Sequence, residues 1–302
     1  MFALSTSWNT AASNSGKQIV NEIRNLGFDS IELCFSHTKK EISQISKDLG
    51  VRVVSLHNFC PIPDGLLRKK ALPDFFSLSS LNKTERKKAL KFSKRTILLA
   101  KKLKTKAVIL HTGRVEIEDY TRDLIKLKIK GQDKTSRFEF LKELATRERE
   151  QNKHKYLDCI FKSLRELSDF AYNLGIALGI ENRFYIREIP SFEEIKFFLE
   201  NFHKKGLYYW HDIGHAYVLE KLGFAKHLDY LKSYKEYLLG IHLHDVKKCE
   251  DHMAPFTGEI DFKQIKPYIK RGTIKVIEAH RPATAKEIIE SRKKLEKLFS
   301  NN

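Results

Sequence analysis

One repeated alternation constrains this chain more than any other feature. Short apolar or β-branched runs recur between longer segments of helical periodicity. The runs cover residues 2–5, 30–33, 52–56, 107–111, 177–181, 208–212, 240–243 and 274–278. The helix-period segments cover 16–26, 41–49, 84–103, 156–174, 192–201, 224–232, 262–270 and 285–299. Strand–helix alternation argues for a parallel sheet with right-handed crossovers. Eight such units close into a barrel. An open doubly wound sheet is the alternative, and no Gly-x-Gly-x-x-Gly follows the first run to support it. The expectation is α/β: a single (β/α)8 TIM barrel over residues 1–302, a length that buries a large core.

Two long stretches interrupt the pattern. Residues 61–82, after the third run, carry three prolines and a Ser-rich segment. Residues 114–154, after the fourth, are highly charged. Both follow the C-terminal ends of strands, the active face of a barrel, where they are rim elaborations or neutral decoration.

The longest apolar runs are too short to span a bilayer, and the N-terminal residues lack a basic segment followed by a long apolar core. Four scattered cysteines form no Cys-x-x-Cys pair. A cytoplasmic protein with reduced thiols is expected, with no membrane association. The net charge of +18 comes mostly from lysines in 83–104 and 263–297. These suit solvated helix faces or a polyanion-binding surface.

The polar residues at strand ends point to chemistry. Each of the last six runs is apolar and then stops on a metal-capable side chain: His57, His111, Glu181, Asp212, His242 with His244, and Glu278. Carboxylates and imidazoles flanked by hydrocarbon are costly to bury unless paired or bound to a cation. Convergence on one rim would resolve that cost with a metal. Gly214, after Asp212, is expected to turn the chain so that His215 folds back over the same rim. Glu250-Asp251-His252 lies in the long loop after the seventh strand, on the same face. Trp8, Phe35, Phe59 and Phe184 are expected in the pocket wall.

The strings GIENR, HDIGHA, HLHD, GEIDF and VIEAH resemble those of the xylose-isomerase-like TIM barrels. That superfamily includes sugar epimerases and isomerases, inosose dehydratases and metal-dependent apurinic-site endonucleases. The resemblance implies one divalent ion on Glu181, Asp212, His242 and Glu278, with Arg183, His215 and His244 facing substrate or supporting the ligands. Glu181 and Glu278 would then exchange a proton with a sugar, sugar phosphate or polyol through an enediolate-type step. Their pKa values are expected to be pulled apart. Mn or Zn suits the mixed donors, with Co or Fe(II) as further candidates, and no organic cofactor is expected.

The nuclease branch uses a multinuclear zinc cluster. Its additional ligands match His57, His111, His215, Glu250 and His252, although Asp251 is an alternative to Glu250. HTG and HLHD depart from that branch's usual strings. The expected partner is a small carbohydrate, with nucleic acid under the alternative. The resemblance also implies a homodimer as one option.

Overall fold

The computed structural model describes residues 1–13, 15–47 and 50–300. Eight parallel strands close into a barrel: β1 (Ala3–Ser5), β2 (Ser30–Leu33), β3 (Arg52–His57), β4 (Ala107–Leu110), β5 (Ala177–Glu181), β6 (Leu207–Asp212), β7 (Leu238–Leu243) and β10 (Ile274–Ile277). Each barrel strand pairs with its neighbours in chain order, and β1 meets β10 to close the ring. A separate antiparallel hairpin, β8 (Asp245–Lys247) and β9 (Glu250–Met253), projects after β7. All eight expected strands are present, within a residue or two at their ends.

The barrel interior is plugged by Trp210, packed with Ala3, Ala107, Ile109 and Val276. Room for the indole comes from its neighbours. A Cβ on Gly240 would sit 2.3 Å from the Trp210 ring, and one on Gly179 would meet the ring at 3.2 Å. Glycine on either side therefore lets one large ring fill the barrel. The much larger apolar layer lies between the strands and the surrounding helices.

Those helices are α1 (Gly16–Asn25), α2 (Lys39–Lys47), α3 (Lys83–Lys102), α4 (Tyr120–Ile129), α5 (Ser136–Tyr172), α6 (Phe192–Phe202), α7 (Ile213–Lys221), α8 (His227–Tyr234) and α9 (Ala285–Phe299). Reciprocal capping boxes start α6 (Ser191 with Glu194) and α9 (Thr284 with Glu287). No helix among the described residues is long and apolar enough to cross a membrane.

Four departures from the sequence reading have physical causes. The charged stretch 114–154 is largely helical, forming α4 and the first half of α5. Its charges include Arg149, buried in a two-pronged pair with Glu194 at 2.8 and 2.7 Å, which an amphipathic pattern disguises. α7 follows β6 at once, because the Asp212 side chain accepts from the His215 N–H at 2.7 Å and caps it. The helix expected at 262–270 is reduced to a 3-10 turn, Lys266–Tyr268, where Pro267 removes an N–H donor. The segment 224–232 becomes helical only from His227. In the segment 41–49, Asp48 and Leu49 lie outside the described residues.

Gly240→Ala should lower stability by about 1–3 kcal/mol, the usual range for overpacking a filled core. Gly272→Ala, where an added Cβ meets nothing within 4 Å, should be nearly neutral. Urea unfolding midpoints of the two variants compare them directly.

Candidate metal centre

The strand ends converge as the barrel demands. Residues alternate in and out along each strand, so the inward side chains at the C-terminal ends share one rim. Glu181, Asp212, His242 and Glu278 place ligand-capable atoms within 4.8 Å of one another, and all four residues are buried. Their focus is the Nδ1 atom of His242. Glu181 Oε1 lies 2.9 Å from it, Glu278 Oε2 2.8 Å and Asp212 Oδ2 3.6 Å.

The far side of the imidazole is held as well. His242 Nε2 is 3.1 Å from Glu32 Oε1, and Ser55 donates to Glu32 Oε2 at 2.6 Å. Glu32 is on β2, fully buried, and was missed from sequence. The signal was present: a glutamate inside the apolar run Ser-Ile-Glu-Leu, subject to the same burial cost as the strand-end acids. A carboxylate behind an imidazole fixes its tautomer and orientation and raises its basicity toward a cation.

Asp212 is positioned from several sides. His244 accepts from the His252 N–H at Nδ1 (2.8 Å), so the proton of the neutral ring sits on Nε2. That N–H donates to Asp212 at 2.8 Å. His244 therefore stands behind the carboxylate, in the position of a support for the ligand and not of a substrate contact, the two roles expected for it, and it does not line the cavity. Asn182 ties the ends of β5 and β6 together, accepting from the Asp212 N–H and donating to the Asp212 carbonyl, each at 2.8 Å. Gly214 also has a different role from the expected turn. It lies in the first turn of α7, where a Cβ would sit 2.1 Å from His244 Cε1. The helix carries His215 over the rim, and Gly214 gives His244 its space.

His57 and His111 join Glu181 in a second group of three, with His111 Nε2 2.7 Å and His57 Nε2 3.6 Å from Glu181 Oε2. A third group is Asp212, His215 and His252. Glu250 does not join them. It is exposed on β9, whereas Asp251 approaches His215 Nε2 at 3.6 Å and His252 Nδ1 at 3.1 Å. The left-handed backbone of His252 (φ +57°) breaks strand alternation, so adjacent residues 251 and 252 both turn inward. His280, also missed, stacks on His252 with ring centroids 4.0 Å apart and joins it and Glu278 in a fourth group.

Burial opposes charge on every one of these groups, and the partners decide the outcome. For Glu181, Arg183, His111 and His242 outweigh burial and hold the carboxyl well below its ordinary range. For Glu278, His242 outweighs burial in the same direction. Both glutamates are thus held ionised by their cationic and imidazole neighbours. Burial brings His111 down to about 3 and His215 to about 4, leaving both neutral with lone pairs available.

Glu181, Glu278, Arg183, His57, His111, His215, His252 and His280 reach the wall of a cavity of about 280 Å³. Arg183 Nη1 donates to Glu181 at 3.1 Å. Of the expected aromatic wall, Phe35 is in place and Phe184 packs on His215 at 5.2 Å. Trp8 and Phe59 are core instead. Beside the cavity, Asp245 accepts from the N–H groups of Gly258 (2.8 Å) and Ile260 (3.0 Å), which anchors the GEIDF loop.

A closed barrel of parallel strands with acids and histidines gathered at its C-terminal rim defines a class of TIM-barrel protein whose site suits a cation. The chain belongs to the xylose isomerase-like TIM barrel family, whose model matches residues 20–298. No curated protein matches it. Among solved structures it is similar to an L-ribulose 3-epimerase (14% identity, TM-score 0.69, 99% of this chain and 94% of that one). It is also similar to the D-psicose 3-epimerase of Clostridium cellulolyticum H10 (14%, 0.68, 99% and 99%). A third is the IOLI protein with a binding zinc atom (15%, 0.63, 99% and 98%). At these identities the likeness is one of fold.

The donor set fits a divalent ion. Three carboxylates crowd one imidazole nitrogen away from water, an arrangement whose repulsion a cation relieves. Glu32→Gln should weaken Mn(II) or Zn(II) binding about 10–100-fold, the usual effect of removing a ligand's hydrogen-bonded support. Competition with a chromophoric chelator reads the affinity. Unchanged affinity in a folded variant would remove Glu32 from the site.

Proposed function

We propose that the protein is a divalent-metal-dependent isomerase or epimerase acting on a sugar, sugar phosphate or polyol by proton transfer. The observation that carries this reading is the pair Glu181 and Glu278. Both approach His242 Nδ1, and both also face the cavity. Glu181, Asp212, His242 and Glu278 would hold the ion. Mixed nitrogen and oxygen donors suit Mn or Zn, then Co or Fe(II), better than Mg. When bound, such an ion supplies Lewis-acid polarisation of a carbonyl and its neighbouring hydroxyl.

The side chains supply the rest. Glu181 and Glu278 are ionised, so each can remove a proton from the carbon beside a carbonyl. In an isomerisation, the carboxylate that has taken the proton would return it to the neighbouring carbon; in an epimerisation, the second carboxylate would first take up a proton from solvent or a substrate hydroxyl and then deliver it to the opposite face. Arg183, with His215 3.3 Å from its guanidinium, offers charged donors to a substrate oxygen. Glu32, His244 and Asn182 keep the acids and His242 in register. The epimerases among the similar structures support a carbohydrate substrate.

Glu181→Gln is expected to reduce turnover at least a thousandfold while circular dichroism and melting temperature hold. The assay is solvent-deuterium incorporation into a panel of ketoses and polyols. An active Glu181→Gln variant with full metal content would overturn the assignment.

A second reading is phosphodiester hydrolysis with a multinuclear cluster, and a specific observation favours it. The groups His57–His111–Glu181 and Asp212–His215–His252 flank the first quartet and share Glu181 and Asp212 with it. Asp251, not Glu250, would complete the third group. Elemental analysis of the protein and of a His57→Ala, His111→Ala variant separates the two. One ion per chain, unchanged in the variant, supports the mononuclear reading. Two or three ions, reduced in the variant, support hydrolysis of abasic DNA or another phosphodiester.

A further inference from the structure

Above the acids and histidines, the same cavity is walled by four arginines: Arg114, Arg122, Arg183 and Arg187. They come from neighbouring segments, the stretch after β4 and the loop after β5. The two segments are zipped together. The Val115 N–H donates to the Arg187 carbonyl at 2.8 Å, the Ile189 N–H donates to the Gly113 carbonyl at 2.9 Å, and Arg114 and Glu188 form an antiparallel bridge. The backbones that carry Arg114 and Arg187 are therefore braced against each other, which lowers the cost of ordering those two guanidiniums on binding.

Each is held at its edge by a carboxylate. Arg114 has Asp74 at Nη1 (3.1 Å) and Glu116 at Nε (2.9 Å), and Arg183 has Glu188 at Nε (3.3 Å) and Glu181 at Nη1 (3.1 Å). A single oxygen of Asp119 takes both Arg122 Nε (3.1 Å) and Arg187 Nη2 (3.3 Å). Apart from the candidate metal ligands, the acids in the cavity wall are Asp74 and Glu188, against four arginines. One carboxylate oxygen shared by two guanidiniums leaves that pair with surplus positive charge. At Arg122 and Arg187, a planar fork that gives one edge to Asp119 can take a second oxyanion on the other.

We infer that this arginine collar binds a phosphate monoester, so that the substrate is a phosphorylated sugar whose phosphate lies under Arg114, Arg122 and Arg187 while its carbonyl end reaches Glu181 and Glu278. This rests on the isomerase reading and narrows its substrate class. The ligand is small. A cavity of about 280 Å³ is near the lower end of small-molecule sites. The charge of +18 would draw an anionic substrate toward the rim.

The test is calorimetric titration of the Mn(II)-loaded protein with D-fructose, D-fructose 6-phosphate and inorganic phosphate, at low and moderate salt. The phosphate ester should bind at least ten times more tightly than the free ketose, inorganic phosphate should compete with it, and the difference should shrink with salt. Arg114→Gln with Arg187→Gln should abolish the difference, leaving metal content, melting temperature and any affinity for D-fructose unchanged. Arg122→Ala should reduce it threefold or more. That side chain is 66% exposed, so the variant decides the matter even if the double variant fails to fold.

Equal affinity for the two sugars, a preference that survives both variants, or no binding of either phosphate probe overturns the inference. So does displacement of the sugar phosphate by abasic duplex DNA at hundredfold lower concentration. Deuterium exchange on free ketoses without phosphate preference sinks the collar and leaves the isomerase reading standing. Phosphate preference without exchange on any sugar does the reverse.

Discussion

Three carboxylates meet around one imidazole nitrogen at the end of a closed barrel, and much of the surrounding structure follows from keeping them there. Glu181, Asp212 and Glu278 repel one another, and all three are withdrawn from water. An isolated buried carboxylate would cost several kcal/mol, so such a group persists only with compensation on every side. His242 provides the common centre. Glu32 then holds His242 from behind, and Ser55 holds Glu32. The chain of support runs across the barrel from β7 to β2 and on to β3. Only a closed sheet brings those strands within reach of one another.

Asp212 shows how local chemistry and site chemistry share one side chain. As the last residue of β6 it points into the rim. As the capping residue of α7 it takes the His215 N–H. The helix that begins there has almost no connecting loop, so His215 is placed by helical geometry. The same economy governs Gly214, whose missing side chain is filled by His244, and His244 in turn donates to Asp212. Histidines 244, 252 and 280 stack in sequence, at 4.3 and 4.0 Å between centroids, and carry the order from the barrel to the hairpin and the β10 loop.

The rim is built in two tiers with opposite electrostatics. Acids and histidines from the strand ends form the lower one, which suits a cation. Arginines from the segments after β4 and β5 form the upper one, which suits an anion. Arg183 belongs to both, pairing with Glu181 below and Glu188 above. A molecule with an electron-rich carbonyl end and an anionic tail would satisfy both tiers, which is why the two proposals concern one cavity.

Much of this was legible in the chain alone, because the period of a strand and the cost of burying charge are local facts. Eight apolar runs separated by helical segments determine a parallel barrel. Runs that stop on His, Glu or Asp place those side chains on one rim. His57, His111, Glu181, Asp212, His242 and Glu278 needed nothing further. What the tertiary structure decided was every relation between residues distant in sequence or adjacent in an irregular turn. Glu32 and His242 meet across the barrel, 210 residues apart. Asp251, and not Glu250, turns inward because His252 adopts a left-handed backbone, which no periodicity announces. His244 stands behind Asp212 because Gly214 leaves room there. Arg149 hides inside a helix that its charges disguised, since its partner Glu194 comes from another element. Sequence determines which groups must be satisfied, and only the folded chain determines which partner satisfies each one.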